Sequence, residues 1–161
     1  RLTNDSEKIV EQCFAEHKTL SFEILDIDYF KQYNDRYGHQ AGDDCVRAIA
    51  ALIRQMESDQ IFCARYGGDE FVIIYSGMSA EEVCERAEKL RQDVMALQIE
   101  QRYTEGAFGV TISQGICHDI PSNGNKNWDF LHVADQTLYR VKRRGRNRLC
   151  MTDIHGREIE V

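Results

Sequence analysis

The chain has 161 residues, of which 42% are hydrophobic and 29% charged, with a formal charge of −7. That balance fits one globular domain rather than a disordered or membrane chain. No apolar run nears the roughly 20 residues that span a bilayer, and no signal-peptide pattern opens the chain. The net acidity argues against general affinity for nucleic acid or anionic lipid.

In chain order, Asp5 to His17 carries a helical stripe at Ile9, Val10, Cys13 and Phe14. Leu20 to Asp28 is a buried strand that ends in acids, Asp26 and Asp28. A second helical pattern runs from about Asp43 to Met56 through Val46, Ile49, Ala50 and Ile53. Ile61 to Tyr66 and Phe71 to Tyr75 read as strands joined at Gly67-Gly68-Asp69-Glu70, a hairpin signal. Ser79 with Glu82 forms a capping box ahead of a helix that reaches Leu97. Val110 to Cys117 is a further strand, residues 121–127 a loop, and Trp128 to Arg144 a helix that stops near Gly145. The tail from Arg148 alternates enough for a terminal hairpin around His155-Gly156. The element order is α, β, α, α, β, β, α, β, α, β, which argues for an α+β sheet covered by helices rather than a doubly wound parallel sheet. Residues 1–161 read as a single domain without repeat or linker.

Six cysteines lie scattered without ligand spacing, several in apolar runs, as expected of reduced thiols in a cytoplasmic protein. The positive charge is concentrated: Arg140, Lys142, Arg143, Arg144, Arg146 and Arg148 share one short stretch. Such a segment in an acidic chain suggests a local anion site, or else a helix end whose cations complement the dipole. Asp26, Asp28, Asp69 and Glu70 gather carboxylates at strand ends, the hard oxygen ligands that Mg²⁺ takes one or two at a time. Acids at strand ends also simply face water, but the glycine pair permits a tight turn that brings backbone and acid close to a ligand.

Arg65-Tyr-Gly-Gly-Asp-Glu-Phe71 resembles the signature of the GGDEF family of diguanylate cyclases. Asp26-Ile-Asp-Tyr-Phe-Lys-Gln-Tyr-Asn-Asp35 is similar to the family's DxDxFKxxND, and Gly38-His-Gln-Ala-Gly-Asp43 to its GHxxGD. Val110 to Ile116, Ala134 to Lys142 and Gly145-Arg-Asn147 resemble its later strand, final helix and turn, all in family order. The resemblance implies a palm-like fold, a central antiparallel sheet flanked by helices. It implies condensation of two GTP molecules into cyclic di-GMP across a homodimer. Two Mg²⁺ ions per site (Mn²⁺ as an alternative) would be held by Asp26, Asp69 and the carbonyl of Ile27, with Asp69 as base and Glu70 in support.

By the same resemblance Asn34 and Asp43 read guanine, whose N1-H and 2-amino donors suit a carboxylate. On their own, Asn34-Asp35 and Gly42-Asp43 read as a turn and a helix N-cap. Lys142 and Arg146 match the family's cationic pair for the β- and γ-phosphates, completed by Lys31 and the backbone through Phe30. The remaining arginines are expected at the surface. The family's RxxD, an inhibitory product site, would fall at Ser58 and Ile61, so it is absent. The opening DxLTGLxNRR is reduced to Leu2-Thr3-Asn4. An upstream sensory or receiver domain is the expected partner, in a larger protein in which a region outside these residues would supply any membrane anchor. The alternative is a catalytically silent domain that binds GTP or cyclic di-GMP.

Overall fold

The computed structural model describes residues 2–101 and 109–161. Ten elements follow in order: α1 (Leu2–Glu16), β1 (Leu20–Ile27), α2 (Phe30–Tyr37), α3 (His39–Arg54), β2 (Ile61–Arg65), β3 (Glu70–Ser76), α4 (Ala80–Ala96), β4 (Ile112–Asp119), α5 (Asn127–Arg143) and β5 (Leu149–Thr152). The strands make one sheet in the order β2-β3-β1-β4-β5. This is the α+β arrangement expected from the element order.

β1 is the centre of the sheet, antiparallel to β3 on one side and to β4 on the other. All eight of its residues are buried, because helices cover both faces. Leu25 and Ile27, with Phe71, Ile73, Ile112 and Ile116, pack under α3 and α4. Leu20, Phe22 and Ile24, with Val72 and Ile74, pack under α1 and α5, where Phe22 meets Phe130 at 5.6 Å between ring centroids. The period-two alternation of β1 thus distributes its apolar side chains between two cores.

Local signals account for several boundaries. His17 ends α1 in the left-handed region (φ 53°), with Lys18 N-H donating to Cys13 O at 2.9 Å. The capping box of α4 forms as expected, Glu82 N to Ser79 Oγ and Ser79 N to Glu82 Oε1, each 3.1 Å. α5 lies against the backbone of β4, and only glycine permits the approach. A Cβ on Gly115 would stand 2.2 Å from Leu138 N and 2.6 Å from Ala134 O.

Three expectations change. α3 begins at His39 rather than Asp43, directly after Gly38 at φ 91°, which serves as N-cap without a side-chain bond. β5 pairs parallel to β4, so the sheet is mixed rather than wholly antiparallel. The tail does fold back after β5, but its hairpin is reduced to one antiparallel bridge, Thr152 to Glu158. Asp153 draws the tail into a tight local turn instead, its Oδ1 accepting from His155 N-H at 2.8 Å and Arg157 N-H at 3.0 Å. All six cysteines are free, and among the described residues no helix is long and apolar enough to cross a membrane.

Candidate active site at the end of the central strand

Asp26 is paired across the ladder with Glu70, so the last turn of β1 and the first residue of β3 lie side by side. Residues 66–69 make the connection from β2 to β3. Its carbonyls are gathered by Arg65, whose Nε donates to Gly67 O at 3.0 Å and Nη2 to Gly68 O at 2.5 Å. Asp69 O in turn accepts from Ile27 N-H at 3.2 Å, tying the turn to β1. Neither Gly67 nor Gly68 lies in the left-handed region, and a Cβ on Gly68 would meet nothing within 4 Å. The fold itself therefore does not require the glycine pair. What it leaves is an exposed, side-chain-free surface for another molecule.

Lys142 reaches from the last turn of α5 to form an ion pair with Asp26 Oδ2. Oδ1 of Asp26 is buried without a hydrogen-bond partner. Burial pushes the Asp26 carboxyl up to about 6, against the Lys142 bond and charge, with Asp28 and Asp69 adding repulsion. Glu70 is also raised, first by burial, then by Asp69 and Asp135, with Lys142 opposing. The site is a concentration of carboxylates short of positive charge.

Asp28 behaves differently from Asp26. Its Oδ1 accepts from Ser113 Oγ at 2.6 Å, and its Oδ2 from Thr111 Oγ1 at 2.7 Å and Asn147 N-H at 3.1 Å. The two acids of the strand end are thus separated: one keeps an unpartnered oxygen, the other has both committed.

Among the described residues, no three His, Cys, Asp or Glu side chains converge to hold an ion by themselves. Two carboxylates and a carbonyl still suit Mg²⁺, which keeps several waters and takes substrate phosphates as ligands. The buried, unpartnered Asp26 Oδ1 is the kind of orphaned oxygen donor that a divalent cation satisfies, and Lys142 on the other oxygen supplies positive charge to the same carboxylate meanwhile.

Asn34 lies within α2 and Asp43 within α3, neither in a turn nor at an N-cap. The two helices approach at Gly42, where a Cβ would stand 1.8 Å from Asn34 Oδ1 and 3.4 Å from Phe30. Asn34 Oδ1 is buried without a partner, and Asp43, next to Gly42, is exposed. Phe30 is half-buried and stacked on Tyr33 at 6.3 Å, while Lys31 is exposed on α2.

Of the basic stretch, Lys142 and Arg146 face the acids of β1, the latter with Nη1 3.9 Å from Asp28 Oδ1. Arg144 pairs with Glu158, and Arg143 lies over the Tyr139 ring. Sequence reasoning left Arg65, Tyr29, Asn147 and Gly115 without roles, and counted Asp28 only among the acids gathered at the strand ends. Arg65 and Asp28 stand inside the quoted motifs, so position in the motif was the available signal.

A model of the family described as "Diguanylate cyclase, GGDEF domain" matches residues 1–148. The chain is 35% identical over 136 residues to diguanylate cyclase A of Treponema denticola, covering 84% of this chain and 36% of that protein. It is 35% identical over 148 residues to the diguanylate cyclase DgcP of Pseudomonas aeruginosa, covering 89% and 21%. The GGDEF domain of DgcB from Caulobacter crescentus, solved in complex with c-di-GMP, superposes with a TM-score of 0.82 at 32% identity, covering 94% and 87%. The active GGEEF domain of a Vibrio cholerae diguanylate cyclase gives 0.78 at 31%, covering 93% of each chain. The fold is that of the nucleotide-cyclising GGDEF domains. This chain belongs to the GGDEF family. It spans well under half the length of the curated relatives it matches.

Proposed function

We propose that the domain is a diguanylate cyclase, which joins two GTP molecules into cyclic di-GMP and releases two pyrophosphates. The observation that carries this reading is Asp26, nearly buried with one oxygen unpartnered, beside an intact Gly67-Gly68-Asp69-Glu70 turn. Asp26, Asp69 and the Ile27 carbonyl would hold Mg²⁺, which when bound lowers the pKa of the attacking 3'-hydroxyl and offsets charge on the pyrophosphate.

Asp69 takes the proton from the 3'-hydroxyl, and Glu70 keeps the local field negative. Lys142, freed once Asp26 is ligated, joins Arg146 and Lys31 on the β- and γ-phosphates, with the backbone through Phe30 closing the pocket. Asn34 and Asp43 read guanine from α2 and α3. Each domain holds one GTP, so two phosphodiester bonds close only when two copies face one another in a homodimer. A neighbouring sensory or receiver domain would control that encounter.

The test is product analysis of concentrated protein with GTP and Mg²⁺, with Asp69→Ala as control and a dimerising coiled-coil fusion as a second form. Cyclic di-GMP from the wild-type form alone supports the reading. Tight binding of GTP or cyclic di-GMP without product, in the fused form as well, replaces it with the silent-receptor reading.

A further inference from the structure

Asp28 is 1% exposed, a carboxylate carried into the protein interior at the start of the segment that bends away from β1. Its partners come from three places: Thr111 and Ser113 beside and within β4, and the backbone of Asn147 in the turn after α5. That turn is unusual. Gly145 (φ 114°), Arg146 (φ 63°) and Asn147 (φ 47°) are three successive residues in the left-handed region, two of them with side chains. Non-glycine residues there cost roughly 1–2 kcal/mol each and persist only where the surroundings determine them.

The surroundings do so from both sides. Asn147 N-H donates to Asp28, while Asn147 Oδ1 accepts from Arg91 Nη1 at 3.1 Å. Arg91 is itself held by Glu88, at 2.8 and 2.6 Å. Arg148 Nε donates back to Arg146 O at 2.9 Å. Arg146 then projects over the ring of Tyr29, 4.6 Å from its centroid, and Tyr29 is again left-handed at φ 56°. Neighbouring residues Asp28 and Tyr29 thus supply the anchor behind the turn and the platform beneath its guanidinium.

We propose that Asp28 is a positioning residue: it locks the turn of residues 145–147 and so aims the Arg146 guanidinium at the phosphates of bound nucleotide. The proposal rests on the reading of Arg146 as a phosphate ligand. An arginine ordered in advance loses little side-chain entropy on binding, and the gain appears as affinity for the triphosphate. Asp28 has no such role as a metal ligand, because taking an ion would give up two short hydroxyl bonds.

The experiment uses the whole domain and three variants, Asp28→Ala, Asp28→Asn and Arg146→Ala. In nucleotide-free protein, amide exchange at Asn147 is expected to accelerate about tenfold or more in Asp28→Ala, the loss of a charge-assisted bond. Asp28→Asn keeps an acceptor and should stay within about threefold of wild type. With the α,β-methylene analogue of GTP, Asp28→Ala is expected to weaken binding about tenfold in wild type but less than about twofold in Arg146→Ala. The Mg²⁺ concentration for half-maximal binding should not move in Asp28→Asn, the variant that keeps the comparison valid if Asp28→Ala does not fold. A raised Mg²⁺ requirement there makes Asp28 a metal ligand and overturns the proposal, and equal loss in both Arg146 backgrounds overturns it by showing that Asp28 does not act through Arg146. Unchanged exchange at Asn147 in folded Asp28→Ala overturns the clamp. Wild-type protein that binds no analogue at all overturns the cyclase reading instead, and with it the phosphate half of the proposal.

Discussion

Lys142 and Asp26 form an ion pair that joins the last turn of α5 to the end of the central strand. The ammonium group stands where the proposed chemistry requires divalent charge, which makes Asp26 the most informative position to alter. Asp26→Ala and Asp69→Ala should each lower cyclic di-GMP formation at least about a thousandfold, the scale of several kcal/mol of metal-assisted stabilisation. Circular dichroism should show both variants folded. Wild-type rates in either would remove that residue from the metal site.

If Asn34 and Asp43 read guanine as proposed, the contact between α2 and α3 predicts how that selectivity is lost. Asp43→Ala removes an exposed carboxylate and should cut the preference for GTP over ATP by about tenfold or more, with the fold intact. Gly42→Ala acts indirectly, by driving a methyl group into Asn34 Oδ1. Overpacking of this kind costs about 1–3 kcal/mol, so the variant should lose both stability and GTP affinity. Competition binding of GTP against ATP, with urea unfolding, separates the two effects.

Gly115 is a structural counterpart. The atoms that a Cβ would meet there are backbone, N of Leu138 and O of Ala134, and neither can rotate away. Gly115→Ala should therefore displace α5, destabilise the domain by about 3 kcal/mol and lower activity by moving Lys142. A midpoint of thermal unfolding equal to that of wild type would contradict this account.

Glu23 provides a pH prediction outside the site. It is fully buried in β1, accepts from Tyr75 OH at 2.6 Å and is pushed up to about 7 from an ordinary 4.5, by burial against the Tyr75 bond. A carboxyl raised on folding contributes stability that is full below pH 4.5 and is lost as pH rises through 7. That loss amounts to about 3 kcal/mol, and Glu23→Gln should escape it. Urea unfolding at pH 5 and pH 8 should show the variant gaining on the wild type at the higher pH. An identical difference at both values would mean that Glu23 does not titrate in this range.

Product inhibition through the family's RxxD position should be missing. The place where its acid would fall is Ile61, 3% exposed and part of the core beside α3. Added cyclic di-GMP should therefore slow initial rates only by competing with GTP. Inhibition that GTP cannot overcome would locate a product site elsewhere.

How far the sequence carried can be judged from particular residues. The β1 strand, the β2-β3 hairpin and the Ser79-Glu82 box were legible because alternation, turn chemistry and capping are local signals. The start of α3 was not, since Gly38 caps it without any side-chain bond. For the same reason Asn34 and Asp43 read as turn and cap on their own, whereas both lie on helices that meet at Gly42. The division of labour between Asp26 and Asp28 was also hidden. Both are acids two residues apart on one strand end, and only Thr111, Ser113 and Asn147 distinguish them. The parallel placement of β5 depends on the edge left open by β4, a property of the assembled sheet.

Because β1 is bordered by β3 on one side and β4 on the other, Asp26 receives its neighbours from chain segments far apart in sequence. Closing such distant segments is slow relative to forming local helices. Helices α2 and α3 can therefore form early, while the carboxylates remain apart until the three central strands have paired. The proposed nucleotide site is consequently completed at the end of folding, and a chain halted before β4 docks would carry the signature turn without its neighbouring acids.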